Sequence, residues 1–225
     1  MPGRNIPLVS GEYYHIFNKG VAGQPVFNGK RDYQRFLETM SYYQNKNPSV
    51  RYSKFLTLSV EERNKILESL SKQHNFIVKF ISYCLMPNHF HLLLQQTENN
   101  GIAKFTSNLT NSYTRYFNVK SKRLGPLFQG KFKAVRIEDD EQLLHVTRYI
   151  HLNPYTSYVI KTFDELVDYP YSSLGEYLKL RKAGLVSKKQ VLSHFKSLKS
   201  FKEFTLNQAN YQRELQNIKH LILEK

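Results

Sequence analysis

The segment from residue 76 to residue 95 constrains the fold most. Residues 76 to 85 are an apolar run of strand composition, Met86-Pro87-Asn88 is rich in turn formers, and a second apolar run follows from His89 to Gln95. Strands joined by so short a turn can pair only as an antiparallel hairpin. The sequence therefore predicts an antiparallel sheet with this hairpin at its centre.

Strands and helices alternate around the hairpin. The predicted elements are a strand over residues 12 to 18, amphipathic helices over 31 to 45 and 102 to 117, a short basic strand over 131 to 137, and a helix that begins at Asp139 and that Pro154 must end. This order predicts an α+β fold, a ferredoxin-like or RRM-like antiparallel sheet with helices on one face.

Two segments lie outside that pattern. Residues 46 to 75 form a polar connection typical of an insertion, with a short helix that Ser59 and Glu62 begin as a capping box. Residues 161 to 225 follow a predicted core domain of residues 1 to 160 and indicate a helical C-terminal extension. Its predicted features are a capping box of Ser187 and Gln190 and an apolar helical face of Tyr211, Leu215, Ile218 and Ile222.

The charge of the chain indicates a polyanionic partner. Lys and Arg number 33 against 18 Asp and Glu, which gives a formal charge of +15 and makes nucleic acid the first candidate. No apolar stretch approaches the roughly 20 residues that cross a bilayer, and the N-terminus lacks a secretory apolar run. With the single cysteine Cys84, these features favour a cytoplasmic protein that binds no membrane.

Two histidines share one face of the second hairpin strand. Side chains alternate along a strand, so His89 and His91 point to one side and Phe90 to the other. Paired neutral imidazoles suit a divalent metal ion. On its own, the pair is also compatible with two partly exposed strand histidines without a ligand.

A second candidate cluster lies on the helix that Pro154 closes. Tyr149 and Asn153 are four residues apart and therefore share a helical face, where the amide oxygen of Asn153 could join a metal site beside the phenol. Separately, each residue has a simpler interpretation. Asn153 precedes a helix-ending proline, and Tyr149 is one of 16 tyrosines that could pack its ring.

Together the two segments resemble the HUH single-tyrosine transposases. Residues 83 to 93, Tyr-Cys-Leu-Met-Pro-Asn-His-Phe-His-Leu-Leu, resemble the family's His-hydrophobic-His motif, and residues 149 to 154, Tyr-Ile-His-Leu-Asn-Pro, resemble the helix that bears its nucleophile. The closest branch is the REP-associated tyrosine transposases. Segments 14 to 20, 125 to 133 and 169 to 173 also match, so the resemblance is ordered along most of residues 13 to 206.

The chain departs from the family pattern at several places. Tyr155 follows the Asn-Pro pair where a small apolar residue is common, and Phe128 and Tyr171 stand where Trp is common. Segment 46 to 75 and the last 20 residues fall outside the pattern. These departures concern substrate and partner details more than the chemistry.

The resemblance implies a DNA-cleaving and rejoining enzyme. Tyr149 would attack single-stranded or hairpin DNA of a mobile or repeated palindromic element, leaving a 5′-phosphotyrosine and a 3′-hydroxyl that later reverses the reaction. Mg²⁺ or Mn²⁺ would be held by His89, His91 and Asn153. The protein would act as a monomer or homodimer, and His145 and His151 are open candidates for the base that deprotonates Tyr149.

DNA binding would fall to basic residues between the two motifs. They are Arg115, Lys120, Lys122, Arg123, Lys131, Lys133 and Arg136, which would contact phosphates without reading bases. Tyr113, Tyr116 and Phe128 could stack on unpaired bases. For the two tyrosines, packing at apolar helical spacing is the favoured alternative.

Three other protein classes compete with this interpretation. A ferredoxin-like single-stranded RNA-binding module would explain the charge, but it needs no paired histidines opposite a helical Tyr-x-x-x-Asn, and the chain has no RNP-like aromatic motif. A relaxase or replication-initiation nuclease would carry similar motifs in another order. A structural zinc protein is disfavoured because two histidines and one cysteine lack the spacing of a closed zinc site.

Overall fold

The computed structural model describes residues 7–73, 75–182 and 184–213, and within them four strands form one sheet. The strands are β1 (Tyr13–Lys19), β2 (Val78–Met86), β3 (His89–Gln96) and β4 (Lys133–Arg136), in the order β2-β3-β1-β4. Pro87 and Asn88 join β2 to β3, which confirms the predicted hairpin. β1 and β4 are antiparallel, with Tyr14 opposite Arg136.

Helices alternate with these strands in the ferredoxin-like succession βαββαβ. Helix α1 (Lys30–Tyr43) follows β1, and helix α4 (Gly101–Lys120) connects β3 to β4. Read from its other edge, the strand order is 4-1-3-2, which is the ferredoxin-like order. The predicted α+β fold class is therefore confirmed.

Segment 46 to 75 contains more helix than predicted. Helix α2 (Tyr52–Phe55) precedes helix α3 (Val60–Gln73), which has 14 residues. The predicted capping box at the start of α3 is confirmed, because the Ser59 backbone N–H donates to the Glu62 carboxylate at 2.9 Å and the Glu62 N–H donates to the Ser59 hydroxyl at 3.2 Å.

The described residues form two compact units. The first holds the described residues up to 79 together with 87–89 and 94–136, and the second holds 80–86, 90–93 and the described residues from 137 onward. In the first unit α1 packs against α4. The buried Phe36 and Tyr113 rings meet edge to face at 4.9 Å, and the Tyr113 hydroxyl donates to the Val26 carbonyl at 2.6 Å.

In the second unit, later segments cover the outer edge of β2. The Leu85 N–H donates to the Tyr171 carbonyl at 2.9 Å, and the Ser187 N–H donates to the Phe80 carbonyl at 2.8 Å. Isolated bridges also pair Cys84 with Ser172. Since an uncovered edge strand exposes unpaired backbone groups, these contacts protect the edge strand that carries the start of the hairpin.

Helix α5 (Asp140–Thr156) does not end where the sequence predicted. Its N-cap is Asp139, as expected, but Pro154 lies inside the last turn. The prediction that Pro154 ends the helix was wrong. A proline so close to the C-terminus removes a single backbone hydrogen bond, and the buried residues from Ile150 to Thr156 hold the turn in place by packing.

The C-terminal extension consists of short helices. They are α6 (Phe163–Asp168), α7 (Leu174–Tyr177), α8 (Lys189–Leu192) and α9 (Leu198–Leu206). Capping boxes begin α6 at Thr162 and α9 at Ser197. The predicted box at Ser187 was wrong, because the N-cap of α8 is Lys188, one residue later, and the Ser187 hydroxyl donates to the Gln190 side chain instead.

The predicted helical face of Tyr211, Leu215, Ile218 and Ile222 lies outside the described residues, Tyr211 excepted. None of the described helices combines the length and apolar character needed to cross a membrane.

Candidate active site

Tyr149 projects from α5 toward the strand that bears the histidine pair. Its ring meets the imidazole of His91 edge to face, with centroids 5.4 Å apart and an interplanar angle of 86°. His91 is 6% exposed, and Tyr149 is half-buried. Two residues that are distant in sequence are thus in direct contact on the His91 side of β3.

Asn153 lies one helical turn after Tyr149 and is 2% exposed. Its side chain hydrogen-bonds the Tyr149 phenol, and its amide oxygen accepts a bond of 3.4 Å from the Ser157 hydroxyl. The oxygen and nitrogen of a side-chain amide occupy nearly equivalent positions. A rotation of the amide would therefore present the oxygen on the Tyr149 side.

The surroundings of Tyr149 shift its ionisation. Burial raises the pKa of the phenol, the hydrogen bond with Asn153 lowers it, and the neighbouring Cys84 raises it; the net pKa lies above the ordinary value. The phenol is therefore protonated near neutral pH. Nucleophilic attack requires removal of this proton, and the contact with Asn153 is the one that favours the phenolate.

The two strand histidines stand on either side of a core residue. Phe90 between them has no exposed surface, and the alternation of β3 puts His89 on the His91 side. Nδ1 of His89 lies 2.6 Å from the Asn88 amide oxygen. A proton on Nδ1 donates to that oxygen, so Nε2 carries the lone pair that a metal ion would use.

These donors fit a divalent cation of intermediate hardness. Among the described residues, no group of three or more His, Cys, Asp and Glu side chains could hold a metal ion. A site here would therefore combine imidazole nitrogens with the neutral amide oxygen of Asn153. Such a mixed set suits Mn²⁺ and tolerates Mg²⁺, both of which keep water or phosphate oxygens in their remaining positions.

The two candidate bases, His151 and His145, each hydrogen-bond a residue other than Tyr149. His151 has no exposed surface, its Nε2 lies 2.9 Å from the Ser173 hydroxyl, and its ring packs on Tyr177. Nδ1 of His145 lies 2.7 Å from the Arg148 guanidinium. Burial lowers the pKa of His151 to about 3, so this imidazole is neutral near pH 7 and is a weak proton acceptor.

The lowered pKa of the buried His151 predicts that the protein loses stability in acid. The folded-state pKa of His151 lies below the unfolded value of roughly 6.5. Below pH 6.5 the unfolded chain therefore binds a proton at this imidazole that the folded chain does not, and the free energy of unfolding falls. From this residue we expect the free energy of unfolding to fall by about 2 to 3 kcal/mol between pH 7 and pH 4.5. Urea titrations at both pH values should show this loss, and His151→Phe should lack that share of it. An equal loss in both proteins would contradict a neutral buried His151.

The predicted DNA-binding residues occupy different settings in the first unit. Arg115, Lys120, Lys122, Lys131 and Lys133 are exposed. Lys120 pairs with the buried Asp32. Arg123 donates to the Asn118 side chain and the Pro126 carbonyl, and Arg136 forms an ion pair of 3.2 Å with Glu12. The last two guanidiniums are thus already engaged within the fold.

Base stacking by the predicted aromatic residues is not supported. Tyr113 has no exposed surface and Phe128 is 6% exposed, so both belong to the core. Tyr116 is half-buried, and its hydroxyl donates to Asp32 at 2.9 Å. The two tyrosines instead pack within the fold, which was the alternative interpretation, because their helical spacing places them on the inner face of α4.

Comparison with known proteins supports the family resemblance. The family model described as "Transposase IS200 like" matches residues 47–153, a range that begins inside the predicted insertion and ends at Asn153. A curated "Putative REP-associated tyrosine transposase" from Haemophilus influenzae is 29% identical over 140 residues, covering 57% of this chain and 76% of that protein.

A solved structure has a similar fold. It is described as the REP-associated tyrosine transposase bound to a REP hairpin, and it superposes with a TM-score of 0.55 at 13% identity, covering 83% of this chain and 94% of that one. At this identity the likeness concerns the fold alone. Family model, curated relative and fold agree with the predicted resemblance: this chain is similar to the IS200-like transposases over residues 47–153 and to a REP-associated tyrosine transposase over 57% of its length.

Proposed function

We propose that this protein cleaves and rejoins single-stranded or hairpin DNA with Tyr149 as its nucleophile. The observation that carries the proposal is the contact of the Tyr149 ring with His91 together with the Asn153 hydrogen bond on the same phenol. A nucleophile, an imidazole and an amide are held together by a helix and a strand. Rigid elements of this kind keep a reacting atom in place.

The chemistry is a phosphoryl transfer in two reversible steps. The phenol oxygen of Tyr149 attacks phosphorus, the bond to the 3′-oxygen breaks, and the phenol proton passes to a base, while the departing oxygen gains a proton as a 3′-hydroxyl. The product is a 5′-phosphotyrosine. A 3′-hydroxyl then attacks that phosphorus and displaces Tyr149, so the bond energy is kept for rejoining and DNA transposition.

His89, His91 and Asn153 would hold the divalent metal, Mg²⁺ or Mn²⁺. Bound there, the ion would polarise the scissile phosphate and offset charge that develops during the attack. The tautomer that the Asn88 contact favours on His89 supports ligation through Nε2. The chain's own contribution is orientation, since Phe90 and the buried turn of α5 fix the strand and helix that carry these groups.

The proposed substrate is DNA with an unpaired segment beside a hairpin. The fold relative is described as bound to a REP hairpin, and the net charge of +15 suits a polyanion. A monomer or a homodimer is compatible with this proposal. The rival function, a non-catalytic single-stranded RNA- or DNA-binding module, would use the same charge but has no role for Tyr149 beside His91.

One experiment separates the two functions. The protein is incubated with 5′- or 3′-labelled single-stranded and hairpin oligonucleotides from the sequence flanking its gene, with Mn²⁺ or Mg²⁺, and the products are resolved on denaturing gels. We expect a cleaved strand with a free 3′-hydroxyl and a protein-linked 5′ fragment. Binding without any covalent adduct on every flanking oligonucleotide would favour the non-catalytic module.

Lys131 and Lys133 supply a salt-dependence prediction. Both are exposed, Lys131 just before β4 and Lys133 on it. If each contacts a phosphate, the variant Lys131→Gln/Lys133→Gln should have a flatter slope of log affinity for single strands against log salt concentration. The expected change is roughly 0.7 per contact, about 1.4 in all. Affinity should fall about equally for all sequences because phosphate contacts do not read bases. Fluorescence anisotropy over a salt series measures both quantities.

The matched control removes two charges elsewhere. Lys189 and Lys202 are exposed residues of α8 and α9, and their double glutamine variant has the same net charge. Equal changes in slope and affinity for both variants would show that the charge acts diffusely, and would contradict a phosphate contact at Lys131 and Lys133.

A further inference from the structure

A basic groove in the first unit lies outside the residues assigned to the chemistry. It has a volume of about 740 Å³ and is lined by α1, α4 and the start of segment 46 to 75. Its cations come from three elements: Arg31 and Arg35 from α1, Arg51 from the N-cap of α2, and Arg115 and Lys120 from α4. No acidic residue is among its lining residues.

The charge of this groove is only partly neutralised within the fold. Lys120 pairs with the buried Asp32, which also accepts bonds from the Tyr116 hydroxyl and the Asn28 N–H. In the described part of the chain, Arg31, Arg51 and Arg115 form no ion pair. Three exposed guanidiniums thus face one concave surface without a counter-charge.

The fold holds a fourth guanidinium in place at the groove. Arg35 lies over the Tyr52 ring at 4.5 Å and over the Tyr116 ring at 5.2 Å. Its Nε is buried and has no hydrogen-bond partner among the described residues. Such a donor is costly to bury without a partner.

The remaining lining residues favour a phosphate backbone over unpaired bases. From α4, the groove is also lined by the amides of Asn108 and Asn111 and the hydroxyl of Ser112. Such groups are frequent partners of phosphate oxygens. Tyr43 is buried, and Tyr116 is covered by Arg35, so the groove lacks the open aromatic platform on which single strands stack. The lining of α4 runs from Asn108 to Lys120, 13 residues or roughly 18 Å of helix, comparable to about five base pairs of duplex.

We infer that this groove binds the phosphate backbone of the paired stem of the DNA substrate. The identity of the anion as DNA rests on the proposed function. Arg51 and Ser53 come from the start of segment 46 to 75, so this segment would add stem-binding residues to those of α1 and α4. Stem contacts of this kind would hold the hairpin on the protein without using the residues assigned to the chemistry.

The test compares a hairpin with a length-matched single strand of thymidines. Anisotropy is measured without added metal for the full chain and for Arg31→Gln/Arg51→Gln/Arg115→Gln, three exposed positions, with the unfolding midpoint of each protein checked first. We expect hairpin affinity to fall about tenfold or more at 0.1 M salt and its salt slope to flatten by roughly 2.7, or 0.9 per contact. Single-strand affinity should change far less.

Lys189→Gln/Lys199→Gln/Lys202→Gln provides the matched control, with the same loss of three charges from α8 and α9. Equal losses in the control, or equal losses for hairpin and single strand, would overturn the assignment. The adduct assay separates the two proposals. If the groove variant keeps full hairpin affinity and still forms the adduct, only the assignment of the groove is wrong. If the groove variant loses hairpin affinity specifically, but the unmodified protein forms no adduct, only the proposed cleavage chemistry is wrong.

Discussion

Tyr149→Phe is expected to abolish DNA cleavage while DNA binding remains nearly unchanged. The substitution removes the nucleophilic oxygen and keeps the ring that meets His91 at 5.4 Å. Loss of a nucleophile leaves no alternative path to the covalent adduct, so cleavage should fall by roughly 10⁴-fold or more. Labelled oligonucleotides on denaturing gels measure cleavage and adduct, and anisotropy measures binding.

Tyr158→Phe is the matched control. Tyr158 follows α5, is 53% exposed and has its ring beside Arg213, so loss of its hydroxyl should leave cleavage unchanged. A covalent adduct that persists in Tyr149→Phe would contradict the assignment. Tyr113 and Tyr116 would be poor replacements as nucleophiles, since burial raises the pKa of Tyr113 well above its ordinary value and that of Tyr116 to about 12.

The parts of the fold predicted from sequence are those that local patterns determine. Alternation and a Pro-Asn turn suffice to place the β2–β3 hairpin, and apolar spacing suffices for α1 and α4. The end of α5 was not predictable in this way, because burial of the residues around Pro154 outweighs its local preference to end a helix. Likewise, Ser187 and Gln190 have capping-box spacing, but α8 begins one residue later.

In the candidate site, too, local patterns predicted some features and tertiary packing determined the others. Strand alternation and i,i+4 spacing indicate which side chains share a face, and the contact of Tyr149 with His91 joins the two segments that the motifs had singled out. Arg31, Arg35 and Arg51 were not identified from the sequence. They come from separate elements, and only tertiary packing gathers them into one groove. The spacing of Arg31 and Arg35, four residues apart on α1, was the one available signal.

His89→Ala and His91→Ala are each expected to eliminate metal-stimulated cleavage. Each change removes one imidazole from a proposed site with only three protein donors, and Asn153 with a single histidine binds a divalent ion weakly. Since loss of even an indirect partner of a metal ligand costs 10- to 100-fold, we expect at least about a 100-fold loss at low millimolar Mn²⁺. Excess EDTA should reduce the unmodified protein to the same level.

Folding defects must be separated from loss of the metal, because His91 is buried and packs on Tyr149. His91→Gln keeps most of the volume and should retain the unfolding midpoint while still losing cleavage. His194→Ala, a change at an exposed histidine beyond α8, serves as the control and should cleave normally. A tighter test is Mn²⁺ titration of the intact protein by calorimetry, where each of the two strand variants should lose the binding signal. Undiminished cleavage in excess EDTA, or normal Mn²⁺ binding by both variants, would show that the paired histidines serve the fold rather than a metal ion.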